Sequence, residues 1–347
     1  MYNDDILREI LLHLPPLPST LSRTSLVRKR WLRLLSEPTF LCRFRAQHQK
    51  PSLLGIFVCP DILKAVFVPV LDPPDRVPSE RLSIPTDWKM LDSHHGLVLL
   101  GSLFEPKLAV WDPIARSQRL VPLLPPEMGF KHSRSHSAVL CAASTGDSHV
   151  HGYCHLSFKL VVLVCDHYTQ LISASIYESE SGGLWRVSVS TIRMTVIDLS
   201  PGVLVGDTLR WLLVTGDILE LDLDAERLSM IEKPNLQTPG TSEYQIMRTG
   251  GGMLGLAIQS RVVVQLWERS AGSDGVPTWM LQRTIDLAKL LPVEKHMPIM
   301  MGFAEENNIV FVSMGDCLFV LNLDSMSIKK LSVHSMPPYL PLASFII

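Results

Sequence analysis

The chain has 347 residues, 46% of them hydrophobic and 19% charged, with a net charge of −2. That is long enough for a sizeable core and more than one domain, and the near-neutral balance excludes a chain built throughout to bind polyanions. Twenty-five prolines and 20 glycines are too many for a helical bundle and point to a turn-rich β architecture.

Charge is not evenly spread. Residues 1–50 hold nine Lys/Arg against four Asp/Glu, whereas the rest holds 23 against 30. A basic head and an acidic body predict two different jobs. The six cysteines (42, 59, 141, 154, 165, 317) show no CxxC spacing, a pattern expected of reduced thiols in an intracellular protein. Asp4, Asp5 and Arg8 break any apolar leader, and the most apolar run, "LVVLVC" at 160–165, is too short to span a bilayer. The expected setting is the cytoplasm or nucleus.

The first element is an amphipathic helix in "NDDILREILLHLPP". Asn3 is a suitable N-cap, and Asp4 and Asp5 favour the positive helix start. Ile6, Leu7, Ile10, Leu11 and Leu14 recur at helical spacing on one broad stripe, and Pro15 and Pro16 end it. A second helical run follows Pro18, carrying Leu21, Leu26, Val27, Trp31, Leu34 and Leu35, and stops at Pro38. "TFLCRF" begins a third. Three short helices in fifty residues bury little surface alone, so the stripe centred on Ile6, Leu7, Ile10, Leu11 and Leu14 is the expected docking face for a partner. Arg23, Arg28, Lys29, Arg30 and Arg33 would suit a nucleic-acid helix, a solvated face, or steering of an acidic protein. The solvated face is the commoner use of such a run, and no nucleic-acid partner is expected.

From about residue 52 short apolar runs alternate with Gly, Pro, Asp and Ser clusters, which predicts many strands and tight turns. A unit recurs, clearest in "LAVWDPIARSQRL", "ILELDLDAERLSMI" and "LFVLNLDSMSIKKL". Acidic marks at Asp72, Asp112, Glu178, Asp224, Glu268 and Asp324 are spaced by 40, 66, 46, 44 and 56 residues. Propeller blades run about 40–50 residues, so the spacing predicts a β-propeller of about six blades, with seven or eight possible. "LLGIFV" at 53–58 could close the ring beside the C-terminal "ASFII". The expected class is thus α+β multidomain: a three-helix head over 1–50 and an all-β propeller over 51–347.

Catalytic chemistry is sparse. "HVHGYCH" places His149, His151, Cys154 and His155 together, but four ligands so close on one strand rarely converge on a metal, and strand-end residues around a glycine turn are expected instead. His94-His95 before Gly96 reads as a turn. "RTGGGMLG" at 248–255 lacks the GK[ST] of a phosphate loop. Asp222 and Asp224 could pair as acid and base, but the repeat accounts for them as turn residues. The tryptophans 88, 111, 185, 211, 267 and 279 fall near strand ends, where packing between blades is their expected role. No catalytic residue, metal or cofactor is expected.

"DDILREILLHLPP", "LSRTSLVRKRW" and "EPTFLCRFRAQH" together resemble the F-box, particularly its plant form. "VWDP", "YESESGGLW", "GVLVGDTLRWL", "ILELDL", "LGLAI", "LWER", "TIDLAKLLP" and "GFAEENNIVFV", in that order, resemble the propeller-like body of plant F-box proteins of the grass type. Two positions depart: Tyr2-Asn3 stands where the family usually has Leu-Pro, and Arg28 where it often has Cys. The resemblance implies a non-catalytic substrate-recognition subunit of an SCF (Skp–cullin–F-box) ubiquitin ligase. Its head would dock a Skp-type adaptor, and through it a cullin-RING ligase, by Ile6, Leu7, Ile10, Leu11, Leu14, Pro15, Pro16, Val27 and Trp31. Its propeller would hold a target protein. A second reading makes the propeller a sensor of a small molecule or glycan, and a third makes it an enzyme with an incidental helical head.

Overall fold

The computed structural model describes residues 4–48, 50–61, 64–105, 107–122, 133–141, 157–166, 171–180, 183–193, 201–235, 242–271, 275–293, 296–331 and 336–343. The chain begins with four helices rather than the expected three: α1 (Asp4–Leu12), α2 (Thr20–Ser25), α3 (Lys29–Leu35) and α4 (Pro38–His48). The second helical run splits because Arg28 adopts an extended backbone (φ −155°, ψ 147°) that α3 needs at its start. Leu11, Leu12, Leu21, Leu34, Leu35, Phe40 and Phe44 form the head's own core, with Leu7, Leu14, Trp31 and Leu41 packed against it.

Among the described residues, 23 strands then build six antiparallel sheets. β1 (Leu53–Asp61) and β2 (Lys64–Pro69) come first. Blade 1 holds β3 (Trp88–His94), β4 (Leu97–Ser102), β5 (Leu108–Asp112) and β6 (Ser117–Val121). Blade 2 holds β7 (Ser133–Cys141), β8 (Phe158–Asp166), β9 (Leu171–Glu178) and β10 (Trp185–Arg193). Blade 3 holds β11 (Val203–Val205), β12 (Thr208–Leu212), β13 (Ile218–Asp222) and β14 (Arg227–Ile231). Blade 4 holds β15 (Glu243–Arg248), β16 (Leu254–Ser260), β17 (Val263–Ala271) and β18 (Pro277–Asp286). Blade 5 holds β19 (Ile299–Ala304), β20 (Ile309–Met314), β21 (Cys317–Asn322) and β22 (Ile328–Leu331). β23 (Met336–Ala343) joins β1 and β2 as blade 6, in the order β2-β1-β23.

Closure is therefore made by the two ends of the body, as expected from "LLGIFV" and "ASFII": Leu53 opposes Ala343, Ile56 opposes Pro341 and Phe57 opposes Leu340. The apolar faces of neighbouring blades meet in six clusters that run round the whole ring, from blades 1 and 2 to blades 6 and 1. Among the described residues each neighbouring pair of blades buries apolar side chains between them, and pairing the first strand with the last leaves no end blade unpartnered.

Gly55 sits at that closure because nothing larger fits. A methyl group there would overlap the Val68 carbonyl oxygen and the ring of Phe67, which lies across it. Backbone cannot yield as a side-chain tip can, so Gly55→Ala is expected to cost about 1–3 kcal/mol. A thermal melt should show a drop of several degrees for the propeller, with the helical head unchanged.

The repeat is real, but its marker is two residues earlier than expected in two copies. Asp112 Oδ1 accepts from the backbone N–H of Ile114 and Ala115, Asp222 Oδ1 from Asp224 and Ala225, and Asn322 Oδ1 from Asp324 and Ser325. Four residues after each stands a left-handed residue: Arg116, Glu226 and Met326, at φ 53°, 49° and 55°. The turn between the third and fourth strands of a blade thus needs a side-chain oxygen, which Asn supplies as well as Asp. Asp224 and Asp324 merely follow it. Glu268 is not a turn residue at all; it lies inside β17, opposite Gly255 and Met280.

Tryptophans clamp the blades. Trp185 Nε1 donates to Pro122 O at 2.9 Å, just beyond the last strand of blade 1, and Trp279 Nε1 donates to Glu232 O at 2.8 Å, just beyond the last strand of blade 3. Trp211 is wholly buried between blades 2 and 3. "HVHGYCH" and the Asn3 cap lie outside the described residues.

Candidate interaction surface

The residues expected to form one docking stripe on α1 divide into two sets. At 100° per residue, Ile6 to Leu11 sweep about 140° of the helix surface, too wide for a single face. Leu11 is 1% exposed, and Leu7 and Leu14 are half-buried against the same core. Ile6 and Ile10 are each 60% exposed. Leu11 is thus corrected from surface contact to core support; α4, with Phe40 and Phe44, covers it. Pro15 is exposed, and Pro16 and Trp31 are half-buried. Val27 is exposed, and two residues not among the expected contacts join it: Leu26, at 85%, and Leu32. Leu26 and Val27 sit at the break between α2 and α3, so the unforeseen break is what puts them outside.

Ion pairs hold this face in place. Asp4 at the start of α1 accepts from Arg30 and Arg33 of α3, and Arg8 grips both oxygens of Glu37 at 3.0 and 3.2 Å. Arg43 reaches Glu9 at 2.6 Å. The hydrogen bond from Arg30 holds the Asp4 carboxyl below its ordinary value. Part of the basic run is therefore internal bracing: Arg30 and Arg33 already face a carboxylate. The head meets the body through Ser19 N–H to Asp75 Oδ1 at 2.8 Å and Ser52 Oγ to Pro16 O at 2.7 Å. Ile6 and Ile10 remain open to solvent, so the propeller does not cover them.

The body carries a second set of polar groups that sequence reading passed over. The His94-His95-Gly96 stretch is a turn as expected, with His95 and Gly96 at φ 53° and 78°. His94, however, crosses the ring: its Nε2–H donates to Gly202 O of blade 3 at 2.7 Å. Asp92 is fully buried, and its Oδ2 accepts from the Val139 N–H of blade 2 at 2.8 Å while Oδ1 has no partner. Glu305, between β19 and β20, stands close enough to His94 for their charges to interact and accepts from the Arg248 backbone. Burial pushes the Glu305 carboxyl up to about 7 against the pull of His94 and Arg248, and burial likewise raises Asp92. For His94, burial favours the neutral ring, but the Asp92, Glu305 and Glu306 charges and the Gly202 carbonyl outweigh it and raise its value. Sequence separation hid this set: His94 and Gly202 are 108 residues apart. The group links blades 1, 2, 3, 4 and 5.

The other sought motifs resolve as turns. Thr249 and Gly252 close the "RTGGGMLG" hairpin through Gly252 N–H to Thr249 O at 2.8 Å, with Gly252 at φ 77°. Among the described residues no group of three or more His, Cys, Asp or Glu is arranged to hold a metal ion, and no helix is long and apolar enough to cross a membrane.

Comparison with known proteins agrees with this architecture. Two curated proteins of Arabidopsis thaliana are similar: F-box protein At5g03970, 26% identical over 77% of this chain and 65% of that one, and F-box protein At5g07610, 27% identical over 67% of this chain and 56% of that one. The chain thus spans somewhat under two thirds of the length of these relatives. Solved structures align more loosely: YCF48 bound to D1 peptide at 11% identity and a TM-score of 0.42, over 83% of this chain and 85% of that one, and a chain of the nidogen/laminin complex at 10% and 0.42, over 83% and 98%. Residues 89–338, covering blades 1 to 5 and the start of β23, match the family described as F-box protein AT5G49610-like, beta-propeller. The chain, with its helical head and six-bladed ring, belongs to that family of F-box proteins.

Proposed function

We propose that the chain is a substrate-recognition subunit of an SCF-type ubiquitin ligase, active in the cytoplasm or nucleus. The head binds a Skp-type adaptor, the propeller binds a target protein, and the transfer chemistry resides in other subunits. The observation that carries this reading is the exposed apolar set Ile6, Ile10, Leu26, Val27 and Leu32 on a head whose own core is already satisfied. Large aliphatic side chains left in water on a folded unit mark a surface that a partner covers. The contribution to catalysis is proximity: a target lysine held near charged ubiquitin gains effective concentration without any nucleophile from this chain. The family resemblance of head and body supports the same assignment.

The test is co-purification with a Skp-type adaptor. Ile10→Asp places a charge in the exposed patch without touching the core, and is expected to weaken capture at least a hundredfold while the head stays helical. Equal capture of wild type and variant would overturn the assignment.

A further inference from the structure

We propose that the cleft between the outer strands of blades 3 and 4 binds an extended acidic segment of a protein partner, its carboxylate taken by Arg269 and its apolar neighbours by Trp267 and Trp279. The cleft encloses about 620 Å³, within the range of ligand sites and enough for a few residues. Its walls include Ile231, Lys233 and Pro234 from blade 3 and Trp267, Arg269 and Trp279 from blade 4.

Arg269 is the unusual group. Its guanidinium lies 6.0 Å from the centre of the Trp279 ring, and its Nη1 is buried with no hydrogen-bond acceptor. A charged donor left so is costly, and a guanidinium cannot shed its proton to escape. The neighbouring Arg210 already has a carboxylate partner. Glu220 Oε2 accepts from Arg210 Nε at 3.2 Å, and Oε1 accepts from Ser229 Oγ at 2.8 Å. Arg210 and Arg269 repel each other across the same seam. Two guanidiniums that repel each other, one of them with an unpaired Nη1, leave a site that an incoming anion completes, and a planar fork suits a carboxylate.

The surroundings favour a peptide over a small free acid. Trp279 is fixed by its bond to Glu232 O at 2.8 Å, so its ring is a rigid platform rather than a mobile lid. Met230, which lines the cleft beside Ile231, Pro234 and Pro277, is 50% exposed, an apolar edge that a lone acid would not cover. β18 is the last strand of its sheet and is mostly exposed, so its outer edge offers backbone partners to an extended chain. This inference deepens the reading of the propeller as the target-binding part and names the chemistry it would recognise.

The experiment selects a displayed random heptapeptide library on the purified full-length chain and measures the best peptide by calorimetry. Winners should carry Asp or Glu beside Leu, Ile or an aromatic residue. Arg269→Gln and Trp279→Ala should each weaken the peptide about tenfold or more, with Arg269→Lys restoring only part of the loss. Arg269→Gln should keep its melting temperature, since it removes an unpaired buried donor. A photoreactive leucine beside the acid should cross-link wild type within 276–281, a readout that needs no variant. Winners without acidic preference, affinity unchanged by Arg269→Gln, cross-links elsewhere, or full displacement by millimolar acetate or phosphate would overturn the proposal, the last showing a simple anion site. Ile10→Asp should leave peptide affinity untouched, so loss of adaptor capture and loss of peptide binding are separable results.

Discussion

Leu11→Asp is expected to unfold the helical head, whereas Ile10→Asp, one residue away, leaves it folded. Leu11 is 1% exposed among Leu12, Leu34, Leu35, Phe40 and Phe44, while Ile10 is 60% exposed. Emptying a buried leucine site costs about 2–5 kcal/mol, and an unpaired carboxylate there adds several more. A unit of some 45 residues holds only about 2–7 kcal/mol of stability at typical per-residue values. The sum exceeds what the head has, so its four helices should melt together.

Limited proteolysis reads this directly. The Leu11 variant should be cut throughout residues 4–48 while the ring survives, and far-UV circular dichroism should lose its helical signal. The Ile10 variant should resist cleavage like wild type. A protease-resistant Leu11→Asp head would mean that the helices are held by the body rather than by their own core. The contrast also guards the adaptor test, because loss of capture in a Leu11 variant would report unfolding and not a lost contact.

The division of α1 shows how far sequence reading reaches. Periodicity identified a helix with an apolar side, and that side exists. It could not say that α4 would cover Leu7 and Leu11 and stop short of Ile6 and Ile10, because that boundary depends on where α4 lies and on the Arg8–Glu37 and Arg43–Glu9 pairs that fix its position. The propeller was legible for a related reason: each blade is made of neighbouring strands, so its pattern is local and repeats. Even the closing pair, Leu53 opposite Ala343, follows once the strands are counted. The functional groups are the opposite case. Arg269 is one residue of the phrase "LWER", and nothing in the phrase says that its Nη1 is buried without an acceptor beside a cleft between two blades. His94 looked like half of a turn because its acceptor is in another blade.

The buried group around His94 leads to the second large effect. The propeller is expected to lose stability as pH rises from about 5 to 8.5. Glu305 is raised from 4.5 to about 7, and Asp92 and His94 are raised above their ordinary values too. The folded state therefore holds protons that the unfolded chain releases. For a raised group the stabilising contribution is complete below the unfolded value and is lost as pH climbs through the folded one. For Glu305 that window runs from about 4.5 to about 7, and for His94 it begins at 6.5 and extends higher. The residue is half-buried overall, which moderates the effect, so Glu305 alone should contribute on the order of 1–3 kcal/mol. A ring of this size should shift by several degrees in a melt. Glu305→Gln keeps the shape and a hydrogen-bond acceptor but cannot titrate, and it removes one of the charges that raise His94. Its melting temperature should therefore change much less between pH 5 and 8.5. Arg248 and Glu306, which face the same group, are left in place in that variant, so a slope that survives intact would shift the titration onto Asp92 and His94. Stability that rises with pH in the wild type would show that none of the three binds its proton more tightly in the folded ring.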